Sequence, residues 1–530
     1  MPFENFPVLT ALIIWPAAAV CLLAFVKDET AVRRVTLAAS LVEVALAWPL
    51  VNFQKTADFQ FVEFIPWVEG WGLNYFLGVD GISIMMIWLS IFTLPVCVLC
   101  SWTYIGRRVK EFHVCLLLMT TACVGVFSAL DLVLFYIFWE ALLIPMYLLI
   151  AVWGGADRRY ASLKFFIYTL AGSTLLLVAV AALRIEGGTF SIPGLMDRNF
   201  PFPFQFWVFL AMAIPFAIKV PMFPFHTWLP AAHVQAPSAG SVVLAAVLLK
   251  MGAYGFLRFC LPITPAASLY FAPLMICLSI VAILYGGAIA LAQSDIKKLV
   301  AYSSVAHMGF VTLGIFLFSV RGLEGAIVQM LNHGIITGAL FMLIGAIYER
   351  SHSREIDDNL GLGRYLPAYM FFWGLMSLAS FGFPGTNGFV GEFLVIVAAF
   401  GHTTEIGGVN VPLLGLLTAP GAMLAAAYAL KVTLKLAWGK PSSAADKNWP
   451  DLNRREWAYM LLPGFFVIYL GLAPGGLMST INPAISATVE TFQSRAAAPA
   501  PGNRNAFILP DRPAWGAAVN SSAATAGSGN

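Results

Sequence analysis

The sequence predicts an all-α polytopic membrane protein with about 14 transmembrane helices, and three observations carry that reading. The 530 residues are 60% hydrophobic and 11% charged, whereas an ordinary soluble domain is about 25% charged. Mean hydropathy is +0.82. Apolar runs of about 20 residues, the length that crosses a bilayer as a helix, recur along almost the whole chain.

Those runs fall near 7–26, 31–53, 80–104, 112–129, 131–152, 161–184, 206–229, 238–261, 268–292, 299–319, 323–348, 366–400, 412–438 and 456–479. The first has no basic stretch before it and no clear cleavage site, so it reads as a retained helix rather than a signal peptide. Loops after odd-numbered spans hold most of the basic residues, among them Arg33, Arg34, Arg107, Arg108, Arg158, Arg159, Lys297, Lys298, Arg350, Arg354, Arg454 and Arg455. By the positive-inside rule both termini then face away from the cytoplasm.

Between spans 2 and 3, FVEFIPWVEGWGLNYFLGVDG is rich in Trp and Gly and reads as an outer interfacial loop with an aromatic belt. From Arg495 onward the chain is mostly Ala, Pro, Gly and Ser, a composition that stays poorly ordered unless a partner covers it. The net charge of +3 is small and scattered, which argues against a nucleic-acid partner. All seven cysteines, at 21, 97, 100, 115, 123, 260 and 277, fall inside apolar spans and read as small hydrophobes rather than disulfide partners. The CxxC of Cys97 and Cys100 has no second pair near it, so it is weak as a metal or redox site.

Two spans carry helix-breaking residues. In span 7, Lys219 sits among Pro215, Pro221 and Pro224; in span 12, Gly382, Pro384, Gly385 and Gly388 precede Glu392. Each is the fourth span of a group of five, spans 4–8 and 9–13. Matching breaks in two odd-numbered groups point to two inverted five-helix repeats. The chain then divides into 1–111 (helices 1–3), 112–261 (first repeat), 262–440 (second repeat), 441–494 (the region of helix 14) and 495–530 (a flexible tail).

The ionisable residues within spans are the candidate site. Lys219 and Lys250 each cost about 2.5 to 3.5 kcal/mol at the centre of a membrane helix. Glu140 lies nine residues after Asp131, about 14 Å into the membrane at 1.5 Å per residue. Lys219 is its natural partner. Ser303 and His307 share one helix face, as do Gln329, His333 and Thr337. With Glu392 these make a set of Glu140, Lys219, Lys250, His307, His333 and Glu392. Burial disfavours a charged form and a nearby opposite charge restores it, so a buried lysine whose carboxylate partner comes and goes switches between holding and releasing a proton.

The same residues have plainer readings. A lone intramembrane Lys or Glu can be half of a structural ion pair, and a buried His can be a satisfied interior residue. His226 and His233, in HTWLPAAHVQAPS, could govern proton entry or cap backbone. Glu43 has no partner that the sequence names. Lys431 and Lys435, near the end of span 13, read as snorkelling side chains.

The stretches FYIFWEALLIPMYLLI, KFFIYTLAGS, IKVPMFPFHTWLPAAHVQAPSAGSVVLAAVLLKMGAYG, SDIKKLVAYSSVAHMG and FPGTNGFVGEF resemble the antiporter-like subunits of respiratory complex I. The resemblance implies a proton channel through the mid-plane of the bilayer, formed by Glu140, Lys219, Lys250 and Glu392, with His307 and His333 on the hydrated axis between two half-channels. It also implies that the energy comes from quinone reduction in other subunits. This chain would then hold no flavin, iron-sulfur cluster or quinone site, and its partners would be the other complex I membrane subunits, above all the sister antiporter-like subunits, in a bacterial inner membrane. Subunits of multi-subunit sodium/proton antiporters are similar and stand as the alternative. A haem carrier ligated by His307 and His333 is a third class, which an optical spectrum without a Soret band would dispose of.

Overall fold

The computed structural model describes residues 6–402, 404–406, 409–440 and 449–496. Residues 497–530 of the anticipated tail lie outside the described residues. The chain begins with α1 (Val8–Phe25) and α2 (Glu29–Leu46), which pack on each other. The Trp- and Gly-rich stretch after them is a correction to the all-α expectation, because it forms an antiparallel hairpin of β1 (Gln60–Val68) and β2 (Leu73–Val79). Its aromatic and β-branched residues favour strand, and Gly72 supplies the left-handed turn at φ 72°. The Glu63 carboxylate accepts from the Leu9 N–H at 2.8 Å and the Thr10 N–H at 3.1 Å, so the hairpin satisfies the free donors at the start of α1.

α3 (Gly81–Cys100) and α4 (Val109–Ser128) follow, and the next span is broken into α5 (Leu132–Ala141) and α6 (Leu143–Trp153). Pro145 has no N–H for the Ala141 carbonyl, which accounts for the break. Asp80 and Asp131 cap α3 and α5, accepting from Ser83 N at 2.9 Å and Val133 N at 2.9 Å. After α7 (Arg158–Gly187) and the short α8 (Ile192–Met196), α9 (Phe202–Lys219) stops at its lysine. The chain resumes as α10 (Trp228–Gln235), and the Trp228 indole N–H donates to the Ile218 carbonyl at 2.8 Å across the break. α11 (Ser238–Ile263) is buried throughout and contains two π turns, Leu244–Leu248 and Phe256–Cys260, on either side of Lys250.

The second half runs α12 (Pro265–Ala292), α13 (Ile296–Phe316) and α14 (Val320–Ser351). Span 12 is broken as anticipated, into α15 (Pro367–Ser380) and α16 (Asn387–Gly401), with Gly382 at φ 71° and Gly385 at φ 92° in the link. A short hairpin of β3 (Thr404–Ile406) and β4 (Val409–Val411) leads to α17 (Leu413–Trp438). The last pair is α18 (Arg454–Leu472) and α19 (Gly475–Ala496), bent by 73°.

Among the described residues, 12 helices are long and apolar enough to cross a membrane, or 13 if the bent pair counts as one span. The difference from about 14 lies in the segment expected at 366–400, which is two helices of 14 and 15 residues, each too short alone. The architecture is thus nearly all-helical. α11, α13 and α14 are its most enclosed helices. Lys250, Ser303, His307, Gln329 and His333 on them are buried inside the protein.

Candidate proton-carrying site

The structure brings four of the six sequence-predicted residues together as two adjacent hydrogen-bonded pairs, Lys250–His333 and His307–Glu392. Lys250 is fully buried and its Nζ lies 2.7 Å from His333 Nδ1. A second contact goes to the Ala245 carbonyl. The π turn explains why that carbonyl is free: the Leu249 N–H reaches back five residues to the Leu244 carbonyl, not four to Ala245. Neither Pro nor a polar residue marks the first π turn in the sequence, whereas the second contains Arg258.

The His333 ring stands 5.9 Å, centroid to centroid, from that of His307. His307 Nδ1 lies 2.6 Å from Glu392 Oε1, and its Nε2 lies 2.9 Å from the Tyr428 hydroxyl and 3.4 Å from Ser380 Oγ. Gln329 donates from Nε2 to the same Glu392 oxygen at 2.8 Å. With Glu392 ionised, the network is satisfied when Nδ1–H of His307 donates to the carboxylate and Nε2 accepts from Tyr428. Tyr428 and Ser380 were not among the sequence candidates, because one hydroxyl on an apolar span has no periodic signal.

Lys219 and Glu140 occupy neighbouring positions without touching. The Lys219 ammonium lies 4.9 Å from the centre of the Trp139 ring, a cation–π contact beside Glu140, and within electrostatic reach of that carboxylate. No ion pair within 4.0 Å joins the two, and the buried Oε1 of Glu140 has no hydrogen-bond partner among the described residues. α9 and α11, which carry the two lysines, are in backbone contact: a Cβ on Gly252 would lie 2.6 Å from the Phe216 carbonyl and 2.9 Å from the Val220 N. Only glycine allows that approach.

His233 stacks on Phe341 at 4.5 Å and His226 on Phe223 at 5.7 Å, and neither caps backbone among the described residues. Lys435 pairs with Asp357 at 2.8 Å with both side chains exposed, and Lys431 donates to the Leu291 carbonyl at 2.7 Å. Glu43 is fully buried, and neither carboxyl oxygen has a hydrogen-bond partner among the described residues. One buried ion pair escaped the sequence reading: Arg258 of α11 with Asp80, the cap of α3. Its guanidinium also donates to Ser83 Oγ at 3.2 Å. An arginine inside the apolar run GFLRFC was the available signal.

Broken helices around buried lysines, glutamates and histidines mark the chain as a polytopic membrane protein with ionisable groups inside its helix bundle. Residues 129–416 match the transmembrane model of the NADH:quinone oxidoreductase/Mrp antiporter family, and the chain belongs to that family. It is 46% identical over 448 residues to NADH-quinone oxidoreductase subunit M of Rhodobacter capsulatus, covering 82% of this chain and 85% of the relative. The subunit M of Rickettsia prowazekii (strain Madrid E) is 41% identical over 458 residues, covering 86% and 92%. Among solved structures, a chain of respiratory complex I from Thermus thermophilus with bound NADH superposes with a TM-score of 0.83 at 30% identity, covering 91% of this chain and 99% of that one. A chain of the Mrp complex from Dietzia sp. DQ12-45-1b shares the fold, with a TM-score of 0.76 at 21% identity, covering 98% and 55%.

Proposed function

We propose that this chain is the M-type membrane subunit of an NADH-quinone oxidoreductase and carries protons across the bilayer along Glu140, Lys219, Lys250, His333, His307 and Glu392. The observation that carries the reading is the buried Lys250–His333 contact of 2.7 Å, continued through His307 to Glu392 at 2.6 Å. A proton on Lys250 Nζ passes to His333 Nδ1; the imidazolium gives one up from Nε2 toward His307, and His307 Nδ1 delivers it to Glu392. Glu140 governs the first lysine. When its carboxylate charge stands near, Lys219 keeps its proton, and when that charge is withdrawn the buried amine releases it.

In this reading flavin, iron-sulfur clusters and quinone belong to partner subunits, and the adjoining partners are the sister antiporter-like subunits. The broken helices α9/α10 and α15/α16 belong to two inverted repeats, residues 112–261 and 262–440. The chain resides in a bacterial inner membrane with both termini on the outer side. The test is Lys250→Ala in the assembled complex, reconstituted in vesicles. NADH-driven proton transport is expected to collapse while the complex still assembles; an unchanged ratio of protons moved to NADH oxidised would refute the role.

A further inference from the structure

An apolar cavity of about 400 Å³ lies beside the candidate site, enclosed by α3, α11, α14, α18 and α19. Its floor is where α14 meets α11: a Cβ on Gly334, the residue after His333, would lie 2.9 Å from the Ala246 carbonyl, and Gly334 and Ala246 both line the cavity. Between Gly325 and Ile347, all of α14 is buried except Leu331 and Ile335, and both of these line the cavity. On α3, Met85, Trp88 and Phe92 share one face, are half-buried and line it too. The enclosed helix α14 thus reaches the side of the bundle at this place.

The lining selects the occupant. Among the described residues no charged side chain lines the cavity. Its two hydroxyls are engaged within their own helices, Thr93 donating to the Leu89 carbonyl at 2.6 Å and Thr480 to the Gly476 carbonyl at 3.0 Å. An apolar space of this kind stays dry, and left empty it forfeits the dispersion contacts of every group around it. A partner's helix does not fit, because a cylinder about 10 Å across fills such a volume in roughly 5 Å, one turn. A single alkyl chain is slim enough to lie along it.

One end of the cavity carries a charge. Lys55, exposed in the link between α2 and β1, donates from Nζ to Ser479 Oγ at 2.7 Å. Ser479 in turn donates at 3.0 Å to the carbonyl of Gly476, which lines the cavity. Lys55 has no carboxylate within 4.0 Å among the described residues. A cation at the end of an apolar cavity is the complement of an anionic headgroup joined to a hydrocarbon chain.

We propose that this cavity is a binding site for a phospholipid of the surrounding bilayer, with one acyl chain along Phe92, Leu331 and Ile335 and the phosphate at Lys55. The chain closes the side of the bundle behind the Lys250–His333 contact, against α11 at Ala246 and α14 at Gly334. The assignment rests on the shape and chemistry of the cavity and stands whether or not the protein carries protons.

The test places the intact complex in vesicles containing either a phosphatidylglycerol with a photoactivatable diazirine in one acyl chain, or a diacylglycerol with the same chain. Illumination is followed by mass spectrometry of the adducts. Wild type is expected to carry phosphatidylglycerol adducts on Leu331 or Ile335 and on Phe92, with diacylglycerol adducts there several-fold fewer. Gly338→Leu fills the cavity, since a Cβ at that position meets its nearest neighbour, Val242, at 3.7 Å, and is expected to lose those adducts. Lys55→Glu is expected to lower phosphatidylglycerol labelling several-fold and leave diacylglycerol labelling unchanged. No adducts at these residues in wild type, as when a partner subunit occupies the cavity, would overturn the proposal. So would adducts that persist in Gly338→Leu, which mark passing boundary lipid. Equal labelling by both probes, unaltered by Lys55→Glu, would reject a phospholipid as the ligand. If Gly338→Leu does not assemble, Lys55→Glu decides by that same comparison.

Discussion

Lys250 Nζ and His333 Nδ1 stand 2.7 Å apart at the centre of the bundle, and neither residue has an ion-paired carboxylate among the described residues. Base faces base across the middle of the molecule, and the acids stand at the two ends.

Replacing His333 with Leu removes the acceptor from that contact and leaves the Lys250 amine with the Ala245 carbonyl alone. An unmet buried polar group costs about 1–3 kcal/mol, a loss that a bundle of this size survives. Blue-native electrophoresis should therefore find His333→Leu assembled, while vesicle assays find proton transport gone. Normal transport would show that the imidazole is only packing.

Gly252 sets how closely the two lysine helices approach. Gly252→Ala places a Cβ against the Phe216 carbonyl and Val220 N, which are backbone atoms and cannot swing aside. Overpacking of this kind costs about 1–3 kcal/mol. A lowered Tm of the assembled complex is expected, together with weaker transport as Lys219 and Lys250 are pushed apart. A Tm equal to wild type would contradict the close contact.

Arg258→Ala leaves Asp80 charged and buried, a change that costs about 3–5 kcal/mol for a broken buried pair. Reduced assembly is the expected readout. The double change Arg258→Met with Asp80→Leu should recover much of it, since apolar replacement of both members is often close to neutral. No recovery would mean that the pair does more than join α3 to α11.

Lys435→Ala removes an exposed ion pair with Asp357, worth about 0–1 kcal/mol. Transport and assembly should stay at wild-type levels. A large transport defect would place Lys435 in the pathway.

What the sequence revealed follows the strength of the physical signal. Charges in apolar spans are expensive, so Glu140, Lys219, Lys250 and Glu392 stood out, and spacing by four added His307 and His333. Pro and Gly marked both breaks, at Lys219 and ahead of Glu392. Three features were hidden. The hairpin at 60–79 reads as an aromatic loop because β1 is exposed along most of its length and carries no alternation of buried and exposed residues. Tyr428 reaches His307 from a span with no polar stripe. Lys219 lies over the Trp139 ring and makes no direct pair with Glu140 among the described residues, and charge pattern does not encode that.

The π turn before Lys250 has an effect that reaches beyond helix geometry. By releasing the Ala245 carbonyl, it gives the ammonium an oxygen from its own helix, at fixed range and independent of any other helix. Lys250 in effect brings a fragment of its hydration shell with it, so a cation arriving there is tolerated before any neighbour responds.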